Sequence, residues 1–189
     1  MSILTGKQII EEINSGNIEI EPFDINRINP NSYNMRIGDR LKVYRPADPS
    51  TDMILDTRRT TNVAIDEFTI PEDGFILRPG ILYLGETVER TFSRKFIPII
   101  DGRSSGGRLG IQIHMTAGFG DLGFNGIWTL EITVVHPVRI YPNDELCQVY
   151  FETPFGDYSY QYDGRYQNQT RATESRIAQS KRGLITDVR

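Results

Sequence analysis

The hydrophobic pattern of the chain changes its period once, close to residue 17. Before that point, apolar side chains recur at helical spacing, in a stripe formed by Ile9, Ile10 and Ile13. Thr5 and Gln8 have the spacing of a capping box, and Gly16 stands where a helix ends. This segment is therefore predicted to be an N-terminal helix.

After residue 17 the chain consists of short apolar runs separated by turn residues. Some runs alternate apolar and polar residues and others are continuously apolar, and both patterns are typical of strands. The predicted strands are Ile18–Ile20, Tyr33–Ile37, Leu41–Tyr44, Val63–Ile65, Phe75–Leu77, Ile81–Leu84, Phe96–Ile100, Leu109–Ile113, Ile127–Val135, Val138–Tyr141 and Leu146–Glu152. Strands do not alternate with helices, so we predict a mainly β fold of the jelly-roll kind with one packed N-terminal helix.

The last part of the chain, residues 153–189, has a different composition. It is rich in Tyr, Gln, Asn, Ser and Arg, and Ile177 is its only large aliphatic residue before Leu184. Such a segment is either a loose terminus or an arm that lies on a neighbour or a ligand. Its tyrosines, Tyr158, Tyr160, Tyr162 and Tyr166, favour the arm. We predict a single domain over residues 1–189, with a β core and helix in residues 1–152 and a C-terminal arm in residues 153–189.

Charge and composition limit the partners. The chain has 21 Lys and Arg against 25 Asp and Glu, a net charge of -4, which argues against binding along a nucleic-acid backbone. A bound phosphate group would need a local cluster of Arg side chains and backbone N–H groups. No apolar run approaches the roughly 20 residues of a membrane-spanning helix. Because Met1 leads into a polar segment, we expect a cytoplasmic protein without a membrane partner.

Metal ligands of the softer kind are scarce. Cys147 is the only cysteine, and His114 and His136 have no Cys-x-x-Cys or His-x-Glu companion in the sequence. We therefore expect no zinc site.

Residues 101–110 combine two arginines, two serines and four glycines between predicted strands. Glycine lets backbone N–H groups approach an anion closely, serine hydroxyls donate hydrogen bonds, and guanidinium groups match phosphate. The residues concerned are Arg103, Ser104, Ser105, Gly106, Gly107 and Arg108. Composition alone fits a phosphate-binding loop and a flexible surface loop equally well.

Two carboxylates stand in informative contexts. Asp121 lies in a loop that contains several glycines. It is either a turn residue or a functional group that binds a ribose hydroxyl or a cation carried by the nucleotide. Glu131 lies in a β-branched, apolar strand, where it either faces solvent or lines a cavity and transfers protons. Strand alternation places Trp128, Leu130 and Ile132 on one face and Thr129, Glu131 and Thr133 on the other.

Taken together, these segments resemble the dCTP deaminase family of the dCTP deaminase and dUTPase superfamily. The matching motifs, in the family's order, are Asn29–Gly38, Gly102–Gly110, Thr116–Gly118 with Asp121, Gly123–Gly126, Thr129–Glu131, Gly164–Gln169 and Ser175–Ile177. Each motif is weak alone, and their joint occurrence in register is specific. Asn34 and Arg165 depart from the family, which has Asp and Lys there, and Gly106-Gly107 replaces a bulkier pair.

The resemblance implies a dUTPase-like distorted β-barrel that forms a homotrimer, with active sites at subunit interfaces and the arm closing over bound nucleotide. It implies an enzyme that converts dCTP to dUTP and ammonia without zinc, in the supply of dUMP and dTTP. It further implies that Mg²⁺ arrives with the triphosphate without direct protein ligands, and that dTTP inhibits.

The resemblance also assigns roles to residues. Glu131 is the general acid/base, Ser104 and the Ala117 carbonyl position the attacking water, and Arg108 orients and stabilises the site. Phosphate binding falls to Arg103, Ser105, Gly106 and Gly107, with Arg165 and Gln169 from the arm. Asp121 contacts the sugar end of the nucleotide, and backbone groups of Thr129 and Leu130 bind the pyrimidine. The arm tyrosine that contacts the nucleotide is Tyr162 or Tyr158.

Gly118 leaves a second activity open. Purely deaminating members tend to carry His there, whereas members that also cleave dUTP to dUMP and diphosphate tend to carry Gly. A small residue at 118 would leave room for a second water, with Asp121 helping to activate it. The main expectation is a deaminase that releases dUTP; the alternatives are a bifunctional enzyme and a catalytically silent nucleotide-binding trimer. The presence of Glu131, Ser104 and Arg108 argues against the silent form.

Overall fold

The computed structural model describes residues 2–58 and 63–179. Helix α1, Gly6–Asn14, begins at the predicted cap, where the backbone N–H of Gln8 donates to Thr5 Oγ1 at 3.3 Å. Ile9 on its apolar stripe is fully buried, and the chain leaves the helix through Gly16 at a φ of 71°. The predicted N-terminal helix is confirmed.

Eleven strands follow within the described residues. They are β1 Ile18–Glu21, β2 Tyr33–Met35, β3 Ile37–Pro46, β4 Val63–Thr69, β5 Phe75–Leu77, β6 Tyr83–Ser93, β7 Ile97–Gly102, β8 Ile111–Ile113, β9 Asn125–Val134, β10 Val138–Ile140 and β11 Cys147–Glu152. The large sheet has the order β4-β3-β6-β9-β8, with β1 also paired to β6, and β2-β11-β7 and β10-β5 form two smaller sheets. All pairs between these strands are antiparallel, which confirms the mainly β prediction.

Strand β9 alternates as predicted. Its buried side chains, Trp128, Leu130, Ile132 and Val134, face the core between the sheets. The side chains of Thr129, Glu131 and Thr133 are partly exposed on the other face. Glu131 therefore stands on the accessible face of a strand that is paired on both sides, with β6 and β8.

Two local expectations were wrong. The predicted strand Tyr33–Ile37 breaks at Arg36, whose backbone N–H donates to Glu89 Oε2 at 2.8 Å instead of joining a ladder. Strand β6 runs to Ser93, far beyond the predicted Leu84. Its second half contains buried polar side chains whose hydrogen bonds are made within the protein; Trp128 Nε1, for example, donates to Thr91 Oγ1 at 2.8 Å. Hydrophobic patterning misses a strand of this kind.

The glycine-rich segment also differs from expectation, because Ser104–Arg108 forms a short helix, α2, rather than a loop. Its last turn closes through Leu109 and Gly110, whose N–H groups donate to Gly106 and Gly107 carbonyls at 3.0 Å.

The described part of the arm contains no strand, yet the core anchors it. Tyr162 N–H donates to the Leu122 carbonyl and Asn168 N–H to the Asn125 carbonyl, both at 2.7 Å. The Ile127 N–H donates to the Gln169 carbonyl at 3.1 Å. The arm therefore lies against the start of β9, and its predicted residues 180–189 fall outside the described residues. Among the helices described, none is long and apolar enough to cross a membrane.

Candidate active site

Glu131 lines a pocket of about 410 Å³ on the exposed face of β9. The pocket is lined by β9, the loop before it and the C-terminal arm, together with Tyr44 of β3, Leu82 and Leu84 at the start of β6, and His114. Among the predicted site residues it collects Ala117, Asp121, Thr129, Glu131, Tyr162 and Gln169. A larger cavity, of about 590 Å³ beside Asp39 and Glu86, contains none of them, so the chemistry singles out the smaller one.

The Glu131 carboxylate has a histidine partner. Its Oε2 lies 2.5 Å from His114 Nδ1, and within the described residues this is the only hydrogen bond of the Glu131 side chain. The His114 side chain is 4 % exposed and that of Glu131 28 %. The buried imidazole thus fixes Oε2 of Glu131, while the rest of the carboxylate remains accessible from the pocket.

The loop wall is pinned to β7. Ile100 N–H donates to the Gly118 carbonyl at 2.8 Å, and Gly120 N–H donates to the Pro98 carbonyl at 2.9 Å. These bonds hold Ala117 and Asp121 on the pocket side. The missing side chain of Gly118 points away from the pocket, since a Cβ there would lie 2.1 Å from the Ile100 carbonyl oxygen. The absence of a side chain at Gly118 therefore does not itself create space for a second water in the pocket. Instead, the glycine allows the loop to approach β7.

The arm supplies an aromatic wall. The Phe124 ring lies 4.7 Å from Trp128 and 6.0 Å from Tyr162, centroid to centroid, and Tyr162 meets Phe124 edge to face. Tyr166 N–H donates to the Tyr162 hydroxyl at 3.1 Å, which fixes the ring. Tyr158 does not line the pocket, so of the two alternatives the structure brings Tyr162 to Glu131.

Polar contacts fasten the arm over the pocket. Thr129 Oγ1 accepts from Gln169 Nε2 at 3.2 Å and from Thr173 N–H at 3.0 Å. The buried Glu86 carboxylate accepts from the Ala172 N–H and from Arg171, both at 2.9 Å. The arm therefore engages the strands on both sides of the site, β6 and β9.

A further ion pair joins the arm to β3, where Lys42 Nζ lies 2.8 Å from Glu174 Oε1. Partial burial disfavours both charges, but the hydrogen bond and the attraction between the two groups outweigh it. The pKa of Lys42 is raised and the pKa of Glu174 is lowered from their ordinary values. Both groups are held in their charged forms.

The glycine-rich segment lies away from this pocket. Arg103 donates to the Glu145 carbonyl at 2.9 Å and to its carboxylate at 2.8 Å, so it is held by the turn before β11. Ser104, Ser105 and Arg108 are exposed and make no side-chain hydrogen bond or ion pair within the described residues. None of the predicted residues from Arg103 to Arg108, Gly106 and Gly107 included, lines the pocket.

The remaining predicted residues also lie outside it. The Leu130 side chain is fully buried in the core. Arg165 is exposed on the arm, donates to the Arg176 carbonyl at 3.3 Å and lies 5.9 Å from the centre of the Tyr166 ring.

Asn34 has a structural reason to replace the family's Asp. Its Nδ2 donates to Glu145 Oε2 at 2.9 Å, and its Oδ1 accepts from Asn29 at 2.7 Å. A carboxylate at this position would face that of Glu145 and would repel it.

No group of three His, Cys, Asp or Glu side chains in the described ranges is arranged to hold a metal ion. Asp121 and Glu131 are the two carboxylates that line the pocket. Their hard oxygen atoms suit Mg²⁺ carried on phosphates better than a softer metal.

A family model described as dCTP deaminase-like matches residues 3–154. The chain belongs to the dCTP deaminase-like family. The family recognised from the sequence motifs is thereby confirmed, and with it the prediction that the chain is an enzyme of this family.

Relatives within the dCTP deaminase-like family are close. A protein of Hathewaya histolytica named "dCTP deaminase, dUMP-forming" is 49% identical over 168 residues, 89% of this chain and 92% of its own length. A Clostridium beijerinckii protein of the same name is 50% identical over 166 residues, 88% and 91% of the two chains. One from Leptospira biflexa is 46% identical over 165 residues, 87% and 90% of the two chains.

The fold agrees with a solved structure, the 2'-deoxycytidine 5'-triphosphate deaminase from Agrobacterium tumefaciens. The TM-score is 0.62 at 19% sequence identity, over 80% of this chain and 48% of that one. At this identity the similarity concerns the fold alone, and the predicted dUTPase-like β fold is confirmed.

His114 is the residue of this site that the sequence analysis missed, since it weighed the histidine only as a zinc ligand. A signal was available. His114 comes directly after the apolar residues Ile111 and Ile113 of β8, and β8 pairs with the strand that carries Glu131.

Proposed function

We propose that this protein is a bifunctional dCTP deaminase and dUTP diphosphatase that converts dCTP to dUMP, ammonia and diphosphate. The names of relatives that are 46–50% identical over most of the chain support this alternative better than the expected release of dUTP. One structural observation carries the chemistry: the carboxylates of Glu131 and Asp121 line a single pocket of nucleotide size, walled by aromatic rings.

The first step is a hydrolytic deamination. Glu131 takes a proton from a water that attacks C4 of cytosine, and delivers protons to N3 and to the departing amine. The Ala117 carbonyl, on the pocket side of the pinned loop, positions the water as acceptor. Water adds its oxygen to C4, the C4–N bond breaks, and ammonia leaves, so no redox partner and no zinc are needed.

The second step is hydrolysis at the α-phosphate: the oxygen of a second water bonds to the α-phosphorus, the bond from that phosphorus to the α,β-bridging oxygen breaks, and diphosphate leaves dUMP behind. Asp121 is exposed at the mouth of the same pocket and accepts the proton of a second water. Mg²⁺ carried on the triphosphate would neutralise charge at the phosphates there, with Asp121 as the nearest carboxylate of the pocket mouth. The arm residues Tyr162 and Gln169 cover the nucleotide while both bonds are broken.

The pocket is complete only with a second copy of the chain. Ser104, Ser105 and Arg108 lie on α2, outside the pocket and without partners in the described chain. Leu109 and Val135 beside α2 are 56 % and 76 % exposed, an apolar margin suited to a subunit contact. We therefore propose a homotrimer in which α2 of one copy brings its Arg and Ser side chains to the triphosphate held by the next.

The deciding experiment is to follow the purified protein with dCTP and Mg²⁺ by anion-exchange separation of the nucleotides. We expect dUMP and diphosphate without accumulation of dUTP, and loss of at least about 10³-fold in turnover for Glu131→Gln, which keeps the shape and removes the proton carrier. Accumulation of dUTP would show that the protein is a purely deaminating enzyme. Absence of any product, or a fully active Glu131→Gln variant, would overturn the proposal.

The remaining parts of the proposal concern location and ligands. We expect the enzyme in the cytoplasm, and we expect dTTP, which shares the sugar and triphosphate of dCTP, to compete for the pocket. Chelation of Mg²⁺ with EDTA should remove activity, and Mg²⁺ alone should restore it. Restoration by Zn²⁺ but not by Mg²⁺ would contradict the zinc-free mechanism.

A further inference from the structure

His114 follows directly after β8 and contacts Glu131 through its side chain. Ile111, Gln112 and Ile113 on β8 pair with Val134, Thr133 and Ile132 on β9, so the chain leaves β8 next to the part of β9 that carries Glu131. From there the imidazole reaches the carboxylate, with His114 Nδ1 2.5 Å from Glu131 Oε2.

The chemistry of the two groups fixes the direction of their hydrogen bond. An ionised carboxylate has only acceptors, so in the 2.5 Å contact the proton belongs to His114 Nδ1. The bond engages Oε2 and leaves Oε1 without a partner in the described chain. We propose that His114 is a positioning residue, which holds Oε2 of Glu131 so that Oε1 alone takes and delivers the protons of the deamination.

Packing alone does not explain an imidazole at this place. His114 Nε2 is buried and has no hydrogen-bond partner within the described residues. A buried, unpaired ring nitrogen is costly, and a phenyl ring of similar shape would avoid that cost. The value of the imidazole therefore lies in its other nitrogen, Nδ1, on the carboxylate.

The pinned loop lies beside the imidazole. The His114 side chain is 4 % exposed, and a Cβ built on Gly118 would come within 3.7 Å of its Cδ2. The loop in turn is bonded to β7 through Ile100. Burial beside this bonded loop restricts the imidazole, and the hydrogen bond from Nδ1 restricts the Glu131 carboxylate in turn.

The inference rests on the proposed role of Glu131, and a spectroscopic test separates the two. The chain contains two histidines, so a ¹H–¹⁵N spectrum of the imidazoles has two sets of signals, and His136→Asn assigns them. We expect His114 to be the Nδ1–H tautomer, with a signal that moves in Glu131→Gln while that of His136 stays. An Nε2–H tautomer would overturn the inference whatever the activity of the enzyme.

Kinetics provide the second readout. His114→Phe keeps the shape and removes the donor, whereas His114→Asn keeps a donor close to the position of Nδ1. We expect kcat for deamination to fall about 30-fold in His114→Phe, with KM within about threefold, and to recover most of its value in His114→Asn. The exposed His136 is the matched control, and His136→Phe should keep the wild-type constants.

Two outcomes contradict the inference: wild-type kcat in His114→Phe, or equal loss of kcat in the Phe and Asn variants. If His114→Phe does not fold, the tautomer of the wild-type protein and the kcat of His114→Asn still decide. An active Glu131→Gln enzyme would instead refute the proposed function, so the two failures are distinguishable.

Discussion

At the residue scale, Gly118 shows how one missing side chain determines the form of the site. Its carbonyl receives the Ile100 N–H, and the loop comes so close to β7 that a Cβ would lie 2.1 Å from a backbone oxygen. Backbone on both sides leaves little room for adjustment. Any side chain at 118 must displace the loop that carries Ala117 and Asp121.

We expect Gly118→Ala to lower the free energy of unfolding by about 2 kcal/mol, because the loop must leave β7 or the strand must bend. Gly107 is the matched control: it lies within α2, and a Cβ there meets no atom within 4 Å. Gly107→Ala should be neutral or stabilise by up to about 1 kcal/mol, because alanine favours the helix. Urea denaturation of both variants checks this, and equal stabilities would disprove the close contact.

Glycine at 118 also bears on which product leaves. Because Asp121 stands on this loop whereas the proton carrier Glu131 stands on β9, we expect Gly118→His to impair dUMP formation more than deamination, so that dUTP accumulates. Comparing dUTP and dUMP release at equal dCTP turnover measures this effect. An unchanged product ratio in a folded, active variant would mean that the loop position does not control the second hydrolysis.

At the element scale, the arm is the least self-sufficient part of the chain and depends on contacts with β3, β6 and β9. It has no strand of its own within the described residues, so isolated backbone hydrogen bonds and bonds to the side chains of Lys42, Glu86 and Thr129 hold it. The pKa of Glu174 is lowered, so its contribution is present above an ordinary carboxyl pKa near 4.3 and is lost as pH falls through the lowered value. The pKa of Lys42 is raised, so its contribution is present below about 10.4 and is lost as pH rises through the raised value.

The arm should therefore stay docked between about pH 5 and pH 10 and loosen at both extremes. Trp128 is the only tryptophan and lies in the pocket under the arm, so its fluorescence reports docking. We expect Lys42→Met to shift this signal at pH 7 and to raise KM for dCTP by a few fold, as for a partly exposed ion pair of about 1 kcal/mol. The control is Arg45→Met on β3, the strand that also carries Lys42; it breaks the exposed 2.6 Å pair with Asp66 of β4. This variant should change neither the fluorescence nor the KM.

At the scale of the whole molecule, the separation of α2 from the pocket predicts that two copies share each site. We expect Arg108→Ala and Glu131→Gln proteins each to be inactive, and trimers that contain both chains to regain activity. Each trimer that contains both chains has one site in three that combines an intact Arg108 with an intact Glu131 from neighbouring copies, so doubly purified protein should regain about a third of the wild-type activity. Co-expression with two different tags, followed by assay of doubly purified protein, tests this; no recovery would place the whole site in one chain.

The sequence allowed the β architecture and the faces of β9 to be predicted because alternation over Trp128–Val134 is strong and local. Motif order led to Glu131, Asp121 and Gln169 as site residues. Strand β6 was underestimated because its buried polar residues, such as Glu86 and Thr91, pair only with partners distant in sequence. The pairing of His114 with Glu131 depends on strand register, which one sequence does not specify.

The position of β8 in the large sheet has a consequence for heat resistance. This strand has three residues, lies at the sheet edge and pairs only with β9, yet the imidazole that holds Glu131 follows directly after it. Short edge strands open locally at a lower free energy than the whole domain. Warming should therefore silence the enzyme reversibly at temperatures where circular dichroism still reports an intact sheet, and cooling should restore it without refolding.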